Sequence, residues 1–315
     1  MHASHAGPWR IATRRSQLAQ IQAQQVADQL TATTGRRAEL VPMATTGDEH
    51  PERAIESFDA KGLFVDRTRQ AVLDGDCHFV VHSYKDLPTE PVDGLTLAGV
   101  PTRVDPRDAL VSRDGWRLAD IPRGQPVTIG TSSARRRAQL QRHRRDLLVQ
   151  PLRGNITTRL RKVADGSLDA VVLAVAGLLR LRPDVPGLTV VPLEHGEMLH
   201  APAQGALALE CRSDDVSTIA SLSLINDRST STEVAAERAM LAALAGGCTA
   251  PIGAHAELRM TAEGNERLVL LGMLADPNGT RMYRASHETG ADAPVTLGQA
   301  MARTLRDQGG DILGK

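Results

Sequence analysis

The chain has 315 residues, of which 41% are apolar and 2% aromatic, and its 37 basic side chains balance 37 acidic ones. This length predicts two or three domains, while zero net charge and so few aromatic rings argue against a nucleic-acid-binding protein. No apolar run approaches the roughly 18 residues of a membrane span and no signal peptide is evident, so we expect a soluble cytoplasmic protein without a membrane partner.

Strands and helices alternate in the N-terminal part. Three short apolar runs are predicted strands: 9–13, 38–43 and 78–83. Ser16 is placed to cap a helix whose apolar positions repeat at helical spacing through Leu30. The polar, glycine-containing stretch 46–60 predicts a mobile loop, and a further helix is expected to end at Gly75.

The middle of the chain shows a clear β-α-β-α-β pattern. Its predicted strands are 127–130, 146–152 and 168–177, and its predicted helices are 131–145 and 155–166. Strands joined by helices need right-handed crossovers, so this part predicts a doubly wound parallel sheet. Residues 101–108, which precede this sheet, are predicted to form a hinge between domains. The predicted strand 206–212 is expected to return to the first sheet, which would make the first domain discontinuous.

The C-terminal part predicts a small α+β domain. Thr230 and Glu233 form a capping-box pattern that opens a helix through Leu244. A turn signal at 276–279 separates two strands as in a hairpin, and a final helix is expected near 297–306. The predicted domains are therefore 1–102 with 203–224, then 106–200, then 228–315.

Arginine residues cluster where predicted strands end and helices begin. In a doubly wound sheet these junctions share one rim, where helix N-termini offer free N–H groups and arginine can bind a carboxylate with two hydrogen bonds. The predicted anion site contains Arg14, Arg135, Arg136, Arg153 and Arg159. Arg142, Arg144 and Arg145 are interpreted instead as a solvated helix surface. Neither a phosphate-binding loop nor a metal-ligand spacing occurs in the sequence, so no metal is predicted.

Three polar residues lie where the predicted strand 78–83 reaches the surface, namely Ser83, Lys85 and Asp86. An aspartate beside a cation stays ionised, and it can stabilise a cationic intermediate and relay protons. On these residues alone, an ordinary surface pair of Lys85 and Asp86 is the better explanation.

Cys248 lies in the stretch GGCTAPIG, just after an alanine-rich helix. Its thiol could be structural, a metal ligand, a nucleophile or an attachment point, and by itself the stretch favours a structural thiol. The glycines permit a tight backbone there. The C-terminus of a helix disfavours a thiolate, which suits a permanent tether better than a nucleophile that turns over.

Taken together, the motifs resemble one family. The chain contains in order RIATRRSQLA, KGLFV, VVHSYKDLP, DPRDA, IGTSSARRRAQL, LRGNITTRL, DAVVLAVAGLLRL, APAQGALALECR and GGCTAPIG. This combination resembles the porphobilinogen deaminase (hydroxymethylbilane synthase) family over nearly the whole chain. The resemblance implies an α/β fold with two doubly wound, periplasmic-binding-protein-like domains and a small C-terminal α+β domain.

The resemblance also implies a function. In this family a dipyrromethane cofactor is attached by a thioether to the cysteine that Cys248 matches. Four porphobilinogen molecules are condensed onto it stepwise with loss of ammonia, and hydroxymethylbilane is released for tetrapyrrole and heme biosynthesis. Such an enzyme is a transferase. We expect a monomer whose partner is the small-molecule substrate and not a nucleic acid.

Matching positions imply individual roles. Asp86 matches the catalytic carboxylate, which stabilises the azafulvenium formed as ammonia leaves. Lys61 matches a lysine that contacts the cofactor, and the loop 46–60 becomes a lid. The other predicted cofactor-binding and substrate-binding residues are Arg14, Ser16, Ser83, Lys85, Thr131, Ser132, Ser133, Arg135, Arg136, Arg153, Gly154, Asn155, Arg159, Arg180, Gln204 and Gly205.

Some positions depart from the family pattern, and rival interpretations remain. Tyr84 stands where methionine or leucine is common, and HGEMLHAPAQGA (195–206) replaces a commoner proline-rich connection. One rival is a non-catalytic, two-lobed anion-binding protein, which would not need Asp86 and Cys248 together. Another is a nucleic-acid-binding protein that uses the basic run 135–145.

Overall fold

The computed structural model describes residues 7–44, 66–244, 251–309 and 312. The chain divides into two compact units, Met1–Arg103 with Ala206–Ser231 and Val104–Gly205 with Thr232–Lys315. The three domain boundaries predicted from the sequence stay a prediction. Among the described residues, no helix is both long and apolar enough to cross a membrane.

A five-stranded mixed sheet forms the core of the first unit. Its strands, numbered along the chain, are β1 (Trp9–Arg14), β2 (Ala38–Met43), β3 (Phe79–Ser83), β4 (Leu95–Gly99) and β10 (Leu207–Arg212). The order is β2-β1-β3-β10-β4. The first three run parallel, whereas β10 is antiparallel to both of its neighbours. The strand after the second sheet therefore returns to the first, as its sequence predicted.

In the described part of this unit, the sheet is covered by the helices α1 (Gln17–Thr34), α2 (Asp66–Leu73) and α6 (Val216–Ser223). The predicted cap of α1 is confirmed, because the Ser16 hydroxyl accepts a backbone N–H at 3.3 Å. The helix ends at Gly35, whose φ of 72° is a left-handed conformation that glycine adopts without strain. Val26 and Leu30 of α1 belong to the same buried cluster as Phe79 of β3.

The second unit contains a sheet with the same arrangement. Its strands are β5 (Asp108–Ser112), β6 (Thr128–Gly130), β7 (Leu148–Gln150), β8 (Ala170–Ala174) and β9 (Thr189–Pro192). The order is β7-β6-β8-β5-β9, with the first three parallel and β5 antiparallel to both neighbours. The parallel β-α-β-α-β part is confirmed. The sheet as a whole is mixed, because β5 runs antiparallel to its neighbours. The strands β5 and β9 were not predicted from the sequence.

The helices of this sheet are α3 (Ala134–His143), α4 (Ile156–Ala164) and α5 (Val175–Leu181). The predicted strand 168–177 is wrong at its end, because the chain turns into α5 after Ala174. Both segments are buried and apolar, and periodicity alone does not separate a buried strand from a buried helix. The predicted hinge is wrong at Asp108, which is fully buried as the first residue of β5.

A smaller α+β part completes the chain and confirms the predicted fold class. It consists of α7 (Arg228–Leu244), the antiparallel strands β11 (Ile252–Met260), β12 (Glu266–Ala275) and β13 (Met282–Gly290), and α8 (Pro294–Gly309). The hairpin at 276–279 is confirmed. The predicted capping box is wrong, because the Asp227 carboxylate accepts the Thr230 N–H at 2.7 Å and α7 begins at Arg228. Aspartate caps a helix as well as threonine does, so the sequence was compatible with a helix capped by Asp227 and with one capped by Thr230.

Candidate active site

The turn that carries Asp86 directly follows a buried strand. Apolar side chains bury the start of β3, and the chain leaves the sheet at Ser83 through a short 3₁₀ turn, Tyr84–Asp86. Tyr84 anchors this turn, since its side chain is buried and its N–H donates to the Ala206 carbonyl at 3.1 Å. Lys85 is half-buried, whereas Asp86 is exposed. The fold thus holds the backbone still and presents the carboxylate to solvent.

A cavity of about 120 Å³ lies beside this turn within the first unit. It brings together four predicted site residues. They are Arg14 at the end of β1, Ser16 before α1, Ser83 at the end of β3, and Asp86. The Ser83 hydroxyl donates to the side-chain oxygen of Gln22 at 2.9 Å. Sequence reasoning missed Gln22, although a glutamine on the apolar face of α1 signals a polar partner.

A buried carboxylate lies next to this cavity. Glu210 of β10 accepts two hydrogen bonds from Arg69, at 2.8 and 2.9 Å, and its oxygen lies 3.0 Å from Nε2 of His82, which lines the cavity. Burial alone would raise the pKa of Glu210. The neighbouring His82 and Arg69 outweigh burial and lower this pKa to about 2. Glu210 is thus an anion within the sheet, which the sequence did not reveal.

Hydroxyl groups shape the loop between β6 and α3 in the second unit. Ser133 caps α3, and the Ser132 hydroxyl donates to the Leu152 carbonyl at 2.8 Å and accepts the Leu152 N–H at 2.9 Å. Thr131 accepts the Ser133 N–H at 3.2 Å. Asn155 caps α4 in the same way. These predicted binding residues therefore also hold the backbone at two helix N-termini, where anions bind favourably.

Asp108 is fully buried and gathers three predicted site residues around its carboxylate. It accepts from Arg135 at 2.7 Å, from Arg136 at 2.7 and 3.2 Å, and from Gln204 at 2.8 Å. Burial would raise the pKa of Asp108, but the two guanidinium groups outweigh it and hold this pKa well below its usual range. Both arginines are buried. Their predicted contact with a ligand stays a prediction.

The other predicted residues of this unit lie near the start of α4, in the last turn of α5 and just before β10. Arg153 is exposed, and Arg159 donates from Nε to the Gly154 carbonyl at 2.8 Å. Gly154 has a φ of 103°, which side-chain-bearing residues rarely adopt. Arg180 is buried in the last turn of α5 and donates to the Gly205 carbonyl at 3.0 Å. Burial lowers the pKa of Arg180 to about 10.

The predicted solvated surface 142–145 is wrong at Arg144. This side chain is buried and donates to the carbonyls of Ile121 at 2.8 Å and Pro122 at 3.0 Å. Arg142 and Arg145 are exposed, as predicted. The guanidinium of Arg144 therefore closes a loop and is not available to a ligand.

Three sequence predictions lie outside the described residues: Cys248, Lys61 and the loop 46–60. The two described thiols, Cys77 and Cys211, are buried. Burial raises the pKa of Cys211 to about 12 and also raises that of Cys77. Neither of them is suited to act as a thiolate at neutral pH.

Comparisons with known proteins agree over nearly the whole chain. Residues 9–220 match the family described as porphobilinogen deaminase, dipyromethane cofactor binding domain, and residues 231–307 match porphobilinogen deaminase, C-terminal domain. The chain is 42% identical over 311 residues to porphobilinogen deaminase of Brevibacillus brevis, covering 98% of this chain and 97% of that protein. It is 45% identical over 309 residues to porphobilinogen deaminase of Nocardia farcinica, covering 96% and 86%.

One solved structure that resembles the chain is an amino acid ABC transporter substrate-binding protein from Streptococcus pneumoniae bound to L-arginine. Its TM-score is 0.36 with 11% identity, over 70% of this chain and 87% of that one. The family of this chain is therefore shown by the full-length relatives and by the two family matches. By these matches, the chain belongs to the porphobilinogen deaminase family.

Proposed function

We propose that this protein condenses four porphobilinogen molecules onto a dipyrromethane held by Cys248, with loss of ammonia and release of hydroxymethylbilane. It is then a transferase of tetrapyrrole biosynthesis, active as a cytoplasmic monomer. The observation that supports the proposal best is the joint presence of the Asp86 and Cys248 motifs in a chain that is 42% identical to a full-length relative of that name.

The donor groups of the second unit fit such a cofactor. Each pyrrole ring carries an acetate and a propionate, and guanidinium groups are the preferred partners of carboxylates. Arg153 is exposed and Arg159 is half-buried beside the capped N-terminus of α4, which adds backbone donors. When bound, the dipyrromethane supplies the pyrrole carbon to which a new ring is joined. Arg153, Arg159 and the N-terminus of α4 would hold its carboxylates.

The cavity in the first unit supplies the acid–base group. Asp86 stands at the end of an anchored turn, so its carboxylate can accept pyrrole N–H groups and hold a proton without moving the backbone. Its negative charge favours a developing cation at the carbon that loses ammonia. Arg14 and Ser16 line the same cavity and would orient a substrate carboxylate.

The mass of the purified protein tests the attachment. We expect the intact mass to exceed the sequence mass by two pyrrole units, and Cys248→Ser to lack this excess. Cys77→Ala removes a buried thiol to which we assign no role, so this variant should keep the excess mass. Wild-type protein that has only its sequence mass, and that releases no ammonia when given porphobilinogen, would show the non-catalytic alternative to be correct.

A further inference from the structure

Three histidines of the second unit form a cluster that the proposed reaction does not use. His195 lies in the turn after β9, His200 lies further along the same connection, and His255 lies on β11. One ring nitrogen of each lies within 4.8 Å of the others. His195 stacks on His255 with ring centroids 3.6 Å apart, and the His200 ring stands at a steep angle to both, 5.2–5.4 Å away.

The backbone brings the three rings together. The N–H of Ala254, next to His255, donates to the His200 carbonyl at 3.0 Å and ties the connection to β11. His200 is fully buried, and its Nε2 lies 3.1 Å from Nδ1 of His255. Nδ1 of His195 is buried and has no hydrogen-bond partner among the described residues. An unsatisfied buried polar atom destabilises the fold, so the cluster is incomplete as it stands.

Three acidic residues and one arginine act electrostatically on His195. Asp105, Glu194 and Glu237 stabilise positive charge at His195, and Arg107 opposes it. Metal ions bind the neutral form of histidine.

We propose that His195, His200 and His255 form a three-histidine site for a divalent transition metal, zinc in the first instance. The bound ion fastens the connection after β9 to β11. Imidazole nitrogen suits zinc, copper and nickel, whereas calcium and magnesium prefer oxygen ligands. Three histidines with one open position are an established zinc donor set.

Metal binding requires a small movement of the rings. Zinc–nitrogen bonds of about 2.0–2.1 Å in a tetrahedron separate the nitrogens by about 3.4 Å. The nitrogens now lie within 4.8 Å of one another with the His195 ring stacked on His255, so His195 must slide off His255 and turn toward the centre of the cluster. The next residue, Gly196, has no heavy atom within 4 Å of where a Cβ would lie, so the turn has room to adjust.

Zinc binding by the full-length, cofactor-loaded protein tests the proposal. After treatment with a chelator and dialysis against zinc chloride, we expect one zinc per chain. We expect His195→Gln and His255→Gln each to bind at least ten-fold more weakly. Zinc should raise the thermal midpoint of the wild type and not that of the variants, because it binds only the folded site. His143→Gln is the matched control, since His143 is exposed and lies outside the cluster.

Cobalt substitution decides the matter independently of the variants. Cobalt(II) bound in a four-coordinate site absorbs visible light. A thiolate ligand adds a charge-transfer band, which this three-histidine site should lack. A second control, His2→Gln combined with His5→Gln, removes two histidines near the start of the sequence and should keep the signal. The proposal is overturned if no stoichiometric metal binds, if a thiolate band appears, or if His195→Gln and His255→Gln bind zinc as the wild type does.

Discussion

The strand-to-helix junctions of the two units use arginine in different ways. In the first unit, Arg14 lines a cavity that also contains the exposed Asp86. In the second unit, Arg135 and Arg136 are buried and bind the carboxylate of Asp108. An arginine at a strand-to-helix junction therefore lies beside an open cavity in the first unit, whereas in the second unit it is part of a buried ion pair. A buried acid makes the difference, because it is the partner that lets a guanidinium leave water.

The largest effect is expected from Asp86→Ala in the first unit. The rate of ammonia release should fall by about 10²–10⁴-fold, the range for losing a general acid–base group. The thermal midpoint should stay near the wild-type value, because Asp86 is exposed. Asp93→Ala removes another exposed carboxylate of the same unit and should release ammonia as the wild type does. Near-normal turnover by Asp86→Ala would remove the catalytic assignment.

A stability loss is expected from Asp108→Asn in the second unit. The amide cannot neutralise Arg135 and Arg136, so the free energy of unfolding should fall by about 3–5 kcal/mol, as when one partner of a buried ion pair is removed. Urea unfolding followed by circular dichroism measures this change. Asp114→Asn is the control, because that carboxylate is exposed. If both variants unfold at the same urea concentration, Asp108 is not the centre of this framework.

A smaller, pH-dependent effect is expected from Glu210→Gln. The folded-state pKa of Glu210 is about 2, below the ordinary value of 4.5. A lowered carboxyl pKa stabilises the fold fully above the unfolded value, and this stabilisation disappears as the pH falls from about 4.5 to about 2. The shift corresponds to about 3 kcal/mol in total.

The free energy of unfolding of Glu210→Gln should therefore depend less on pH than that of the wild type in this acidic range. Urea unfolding at several pH values measures the difference. Glu90→Gln, which removes an exposed carboxylate of the same unit, is the comparison variant. Parallel pH profiles for wild type and Glu210→Gln would show that the contact of Glu210 with Arg69 does not stabilise the fold. The first unit would then have no counterpart of Asp108.

Local signals in the sequence predicted the elements that depend on neighbouring residues. The cap at Ser16, the parallel β-α-β-α-β order and the hairpin at 276–279 were predictable, because capping, strand–helix alternation and turn chemistry act over a few residues. The end of β8 was not predictable. Its apolar run continues into α5, and burial on all sides removes the periodicity that distinguishes a strand from a helix.

The family, the order of the motifs and the residue types that bind carboxylates can be read from the amino-acid sequence alone. Which of those side chains face a cavity and which are buried depends on the folded chain. Arg69 meets Glu210 across 141 positions, and His195 meets His255 from a different part of the chain. The free energy of a charge depends on how much water surrounds it and on which partner replaces that water. Long-range packing sets both, and no local pattern of residues records them.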